Sequence, residues 1–110
     1  MRHQEYKLQV QVVKLLRAHN WVVFSIPNER NLGIADSTRM KAAGLTKGAP
    51  DLVAWEPTGD CWWLELKTPQ GRRSPEQECS EFVAKQLHIN YRVIRDLKDI
   101  ENIVGLRDVS

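Results

Sequence analysis

Two apolar runs rich in β-branched and aromatic residues, Asp51-Leu-Val-Ala-Trp-Glu56 and Cys61-Trp-Trp-Leu-Glu-Leu-Lys67, are joined by only Pro57-Thr-Gly-Asp60. Proline presets φ for a turn, glycine supplies the left-handed conformation, and aspartate and threonine bond the nearby backbone. The pair therefore folds back as an antiparallel hairpin. Period-two alternation then places Cys61, Trp63, Glu65 and Lys67 on one face, and Trp62, Leu64 and Leu66 on the other. The turn carries the start of the first strand back to the end of the second, so Asp51 is expected beside Glu65 and Lys67. Trp62 and Trp63 are consecutive, so one of them leaves the face on which the other packs. The outward one needs cover from a helix or a second subunit.

The rest of the chain arranges itself around this hairpin. From His3 to His19, Leu8, Val12, Leu15 and Leu16 recur at helical spacing. Three residues before Leu8 stands Glu5, which puts a carboxylate on the apolar stripe. A buried acid is costly unless it pairs or binds a cation; the alternative is a frayed first turn with Glu5 in solvent near a favourable helix N-terminus. Trp21 to Ile26 reads as a strand stopped by Pro27. Residues 28–35 form a loop, Asp36 or Ser37 caps a short helix through Ala43, and Gly44 ends it. Leu45 to Pro50 is a connector. Ser74-Pro75-Glu76-Gln77 opens a helix with a cap, a first-turn proline and a capping box. That helix is expected to run to about Leu87 with Phe82, Val83 and Leu87 inward. Tyr91 to Arg95 is a further strand, and Leu97 to Val104 a final short helix. The order, α-β-(α)-β-β-α-β-α, is that of an α/β sandwich around a small mixed sheet.

With 110 residues, 42% of them hydrophobic, the chain is expected to form one domain, residues 1–110, with a single core. The formal charge of +2 falls far short of a protein that binds nucleic acid by charge alone. The distribution says more. Lys67 to Pro75 carries Lys67, Arg72 and Arg73 without an acid, while acids gather at Asp51, Glu56, Asp60 and Glu65 and at Glu76, Glu78 and Glu81. Carboxylates flanked by basic stretches suit a site for a cation and a polyanion together, although an ordinary solvated surface has the same composition. Cys61 and Cys79 form neither a disulfide framework nor a metal-ligand pattern. His3, His19 and His88 have no ligand spacing. The start resembles no signal peptide and no apolar run could span a bilayer, so a cytoplasmic setting is expected.

Asp51 and Glu65 are hard oxygen donors suited to Mg2+, with Mn2+ as a substitute, and the Leu66 backbone carbonyl lies between the functional side chains of β-strand neighbours. An ion there polarises a phosphodiester, and Lys67 orients a water or neutralises developing charge. Glu5 can reach the same cation from the first helix. Against this stands the common fate of a Glu-x-Lys on a strand, a solvated ion pair worth little. Arg72 and Arg73, with Arg30 and Lys47 from the 28–47 stretch, are candidate phosphate contacts, or else solvated loop charges.

At these residues the sequence resembles a known family. Pro50-Asp51 followed after a hairpin by Glu65-Leu66-Lys67 matches the PD-(D/E)XK nuclease signature. Glu5, Gly48-Ala49-Pro50-Asp51-Leu52, Glu65-Leu66-Lys67, the Gly71 to Ser74 connector and Gln77 together resemble the VRR-Nuc domain, over nearly the whole chain. The resemblance implies a restriction-endonuclease-like α-β-β-β-α-β core and Mg2+-dependent hydrolysis of DNA. It implies Asp51, Glu65 and Lys67 as the triad, Glu5 as an accessory acid, and Gln77 as a helical residue reaching the site. Gln77 has a second reading, as the closing residue of the capping box. The stand-alone members of the family are often viral and similar to Holliday-junction resolvases, which implies a homodimer acting on four-way junctions or flaps, in the host cytoplasm if viral. A non-catalytic nucleic-acid-binding module on the same fold is the alternative.

Overall fold

The expected hairpin forms, and its register fixes the sheet. The structure, a computed structural model, describes residues 3–27, 38–39, 42–44 and 46–108. Strands β2 (Leu52–Trp55) and β3 (Cys61–Leu66) pair antiparallel, Leu52 opposite Leu64 and Trp55 opposite Cys61. The turn between them is closed by Gly59 N–H donating to the Glu56 carbonyl at 2.8 Å, with Gly59 at φ +98°. Strand β1 (Val22–Ser25) adds antiparallel to β2, and β4 (Asn90–Ile94) adds parallel to β3, giving the order β1-β2-β3-β4. A parallel neighbour needs a crossover, which helix α2 (Pro75–Gln86) supplies. Helices α1 (His3–Ala18) and α3 (Leu97–Asp108) complete a small α/β fold with a mixed sheet. The short helix expected over 36–43 falls mostly outside the described residues; within them, Ala43 N–H donates to the Arg39 carbonyl at 3.1 Å, one helical turn.

The core occupies one side of the sheet. Leu8, Val12 and Leu16 of α1, Leu52 and Ala54 of β2, Trp62, Leu64 and Leu66 of β3, and Ile100, Ile103 and Val104 of α3 are all buried in one cluster. Each large aliphatic side chain removed from water here contributes about 1.5–3 kcal/mol. Trp62 is thus the inward tryptophan of the pair, with the Arg92 guanidinium 5.4 Å from its ring centre. Helix α1 ends with Asn20 at φ +67° and Trp21 N–H donating to the Leu16 carbonyl, a cap that turns the chain into β1. His88, at φ +59°, ends α2 in the same way.

The opposite side is packed differently. Phe82 and Leu87 do not face inward, being 63% and 59% exposed, Val83 is 45% exposed at the edge of an open cleft, and the buried residue of α2 is Ala84. The inward stripe is Gln77, Ser80, Glu81 and Ala84, which has helical spacing but is polar and small. Its partners explain the orientation. Ser80 donates to the Gly48 carbonyl at 2.6 Å, and Glu81 accepts from Arg73 at 2.8 Å. The helix turns its polar stripe inward because the sheet face below it carries charge. Gly48 is required at this contact. It sits at φ +83°, and a Cβ there would lie 2.5 Å from the Glu76 backbone. Between α2 and the sheet remains a cavity of about 700 Å³, lined among the described residues by Val53, Trp63, Cys79, Ser80 and Val83.

Candidate active site

The end of β3 is where the charged residues converge. Continuing the β2–β3 register one step beyond Leu52 and Leu64 sets Asp51 opposite Glu65, as the hairpin predicts. Asp51 is tied into the ladder by three bonds. Its N–H donates to the Leu64 carbonyl at 3.0 Å, its carbonyl accepts from Ile26 at 2.9 Å, and its Oδ2 accepts from the Leu66 N–H at 2.7 Å. The Asp51 carboxylate is therefore held by backbone at the mouth of the hairpin, alongside the Leu66 peptide.

Glu65 is 1% exposed, so its carboxylate must be compensated within the protein. The Arg73 Nε donates to both oxygens at 3.2 and 3.1 Å, and a terminal guanidinium nitrogen donates to Oε1 at 3.1 Å. The Tyr91 hydroxyl adds a 2.7 Å bond to Oε1. Arg73 in turn forms a 2.8 Å ion pair with Glu81 and lies 5.7 Å from the centre of the Tyr91 ring. Burial opposes the charge on Arg73, but bonds to Glu65 and Glu81 outweigh it and push its pKa up. Burial, and then the Glu65 carboxylate, push the Tyr91 hydroxyl up as well. Burial works against the charge of Glu81, yet Arg73 and Lys85 together leave it below the usual carboxylate range.

Lys67 and Glu5 meet in a second compartment. They are 7% and 8% exposed and line one cleft of about 190 Å³ with Leu8, Thr68 and Arg95. The stripe reading of Glu5 is correct: it shares the buried face of α1 with Leu8, Val12 and Leu16. Lys67 is fixed by its N–H, which donates to the Ile94 carbonyl at 2.9 Å and extends the β3–β4 ladder. One Arg95 nitrogen donates to the Thr68, Pro69 and Gly71 carbonyls at 2.9, 3.3 and 2.9 Å, which shapes the connector after Lys67.

The remaining candidates are placed as follows. Gln77 closes the capping box: its Oε1 accepts from the Ser74 N–H at 2.9 Å while its own N–H donates to the Ser74 hydroxyl at 3.1 Å. It touches the cluster through its backbone carbonyl, which accepts from Arg73 at 3.4 Å. Arg72 is exposed. Lys47 is exposed and forms a 3.4 Å ion pair with Glu76. Arg30 lies outside the described residues. Arg73, read from sequence as a phosphate contact, is drawn under α2 onto Glu65. Tyr91, Glu81 and Arg95 carry no signal of their own in the sequence. Only the parallel β3–β4 register, with Trp63 opposite Tyr91, brings the hydroxyl within reach of Glu65.

As a cation site, the donor set is hard oxygen throughout: the Asp51 and Glu65 carboxylates and the Leu66 carbonyl. Among the described residues, no group of three His, Cys, Asp or Glu side chains gathers tightly enough to hold a metal ion. Mg2+ does not need one, because it keeps several waters and takes one or two protein carboxylates. The Asp51–Glu65 pair fits that demand. Cys61 and Cys79 are both free thiols. No helix among the described residues is long and apolar enough to cross a membrane.

No family model matches the sequence, and comparison with the curated proteins finds no match. Comparison of structures does. A solved structure described as a VRR_NUC domain superposes with a TM-score of 0.71, covering 94% of this chain and 97% of that one at 19% identity. The chain has the VRR_NUC fold. The hairpin mouth at Asp51 and Glu65 and the cleft at Glu5 and Lys67 both adjoin the C-terminal end of β3.

Proposed function

We propose that the chain is a Mg2+-dependent DNA endonuclease that hydrolyses phosphodiester bonds, with Mn2+ able to substitute. The observation that carries this reading is the convergence at the end of β3. Asp51 stands opposite Glu65, and two residues on, the buried Lys67 shares a cleft with the buried Glu5. Three of these groups, Glu5, Glu65 and Lys67, are buried, and buried charge gathered at one strand end is expensive without a use. Asp51, Glu65 and the Leu66 carbonyl would hold the ion, with Glu5 approaching from α1. A divalent ion bound there supplies Lewis-acid polarisation of the phosphodiester. Lys67 neutralises charge building on the phosphate oxygens and orients the attacking water. Arg72 and Lys47 meet backbone phosphates from the exposed connectors, Arg30 joins them, and Gln77 holds Ser74 and Arg73 in place beside the site.

The reading extends to a homodimer acting on branched DNA, four-way junctions or flaps. Its support is the pair of exposed apolar side chains on α2, Phe82 and Leu87, which a partner copy would cover. The final helix and Trp62, by contrast, are used in the core.

Lys67→Ala is the informative variant. Cleavage should fall by about a hundred- to a thousandfold, as for loss of a group acting on transition-state charge, while DNA affinity stays within about threefold. One observation favours a second reading, a non-catalytic nucleic-acid-binding module. All of the bonds described for the Glu65 carboxylate go to Arg73 and Tyr91, as they would in a purely structural ion pair. That reading predicts salt-dependent DNA binding with no metal-dependent cutting by the parent protein.

A further inference from the structure

Within the cluster under α2, Glu65 and Glu81 share the Arg73 guanidinium, and Glu81 has Lys85 at 3.3 Å besides. The sharing is uneven. Oε1 of Glu65 accepts from two Arg73 nitrogens and the Tyr91 hydroxyl, whereas Oε2 accepts from Arg73 Nε alone. Arg73 comes from the connector between β3 and α2, is partly open to solvent, and has a second anchor in Glu81 that does not depend on Glu65. A guanidinium fork matches a carboxylate edge and holds it in the bidentate manner that a hard cation would contest.

We propose that Arg73 is a built-in counter-ion for Glu65, a positioning residue that holds the carboxylate in the place of the divalent ion and must yield Glu65 for that ion to bind. The proposal rests on the nuclease reading above. Glu81 keeps the displaced guanidinium beside the site, so that it need not return to solvent. Tyr91 retains Glu65 in one orientation through the exchange. The arrangement sets metal affinity below what the donor set alone would give, and it keeps a buried carboxylate compensated in the metal-free protein.

The test is a Mn2+ titration of the full chain followed by electron paramagnetic resonance. Asp51→Asn identifies the site, because binding there should be lost. Arg73→Ala should bind Mn2+ about tenfold more tightly than the parent, the scale of one lost charge-assisted bond. Tyr91→Phe, which removes a single bond and leaves the guanidinium, should not tighten binding, so that the gain is specific to Arg73. A merely structural Arg73 would weaken binding when removed, so the direction separates the two roles. If Arg73→Ala does not fold, Arg73→Lys keeps a charge but loses the fork, and the same tightening is expected at smaller size. A parent that binds Mn2+ while the Arg73 variants bind no more tightly overturns this proposal alone. A parent with no Asp51-dependent Mn2+ binding overturns the nuclease reading and this proposal with it.

Discussion

The two sides of the sheet are built on opposite rules. Against α1 and α3, the inward residues of β2 and β3 are aliphatic or aromatic and essentially dry: Leu52, Ala54, Trp62, Leu64 and Leu66. Beneath α2, the same strands present Val53, Trp63 and Glu65 to a cavity and an ion-pair network. The first side secures the fold. The second keeps charge, space and a helix whose most exposed apolar residues, Phe82 and Leu87, face away. One strand thus supports a close-packed core on one face and a reactive cluster on the other, and packing of the first supplies the rigidity that the second needs.

The largest expected contrast comes from truncation on the core side. Leu64→Ala empties a site that is 1% exposed and should cost about 3 kcal/mol of stability in urea denaturation. A loss below about 1 kcal/mol would mean that this face is not the close-packed one.

The polar side should respond to chemistry rather than volume. Tyr91→Phe removes the hydroxyl bonded to Glu65 at 2.7 Å and should cost about 2 kcal/mol near neutral pH, as for a hydrogen bond to a charged group. Because burial and Glu65 raise the Tyr91 pKa in the folded state, its contribution is complete below the unfolded tyrosine value of about 10. It is lost as pH climbs above that value toward the folded pKa. The parent should therefore lose stability above pH about 10, and the gap to Tyr91→Phe should narrow there. A gap that is constant to higher pH would show that the hydroxyl is not held in this way.

The smallest effect is expected on the outside of α2. Phe82→Ser, at a position 63% exposed, should change monomer stability by no more than about 0.5 kcal/mol. The same substitution sharpens the dimer proposal. In sedimentation at high protein concentration it should shift the mass toward the monomer, whereas a parent that is already monomeric removes the dimer.

The same contrast explains what could be read from the sequence. The Leu8, Val12 and Leu16 stripe, the Pro57–Asp60 turn and the alternation of β3 each follow from a single period, so core side, hairpin and the meeting of Asp51 with Glu65 were all legible. The Ser74–Gln77 capping box was legible for the same reason, as a local pattern. The inward face of α2 was not. Hydrophobicity pointed to Phe82, Val83 and Leu87, but the helix answers to Gly48 and Arg73, neither of which lies on it. Tyr91 reaches Glu65 across 26 residues through a parallel register that no local signal encodes. Arg73 read as a surface charge because only the folded connector turns it inward.

The central claim is that the end of β3 cuts DNA with a divalent ion. Its most direct test is cleavage of end-labelled four-way junction, flap, duplex and single-stranded DNA by the full chain in Mg2+, Mn2+ or EDTA, beside Asp51→Ala. The account predicts metal-dependent cutting of at least one branched substrate, abolished by EDTA and by the substitution. A folded protein that binds these DNAs but cuts none of them with either metal would contradict it and leave the binding module as the reading.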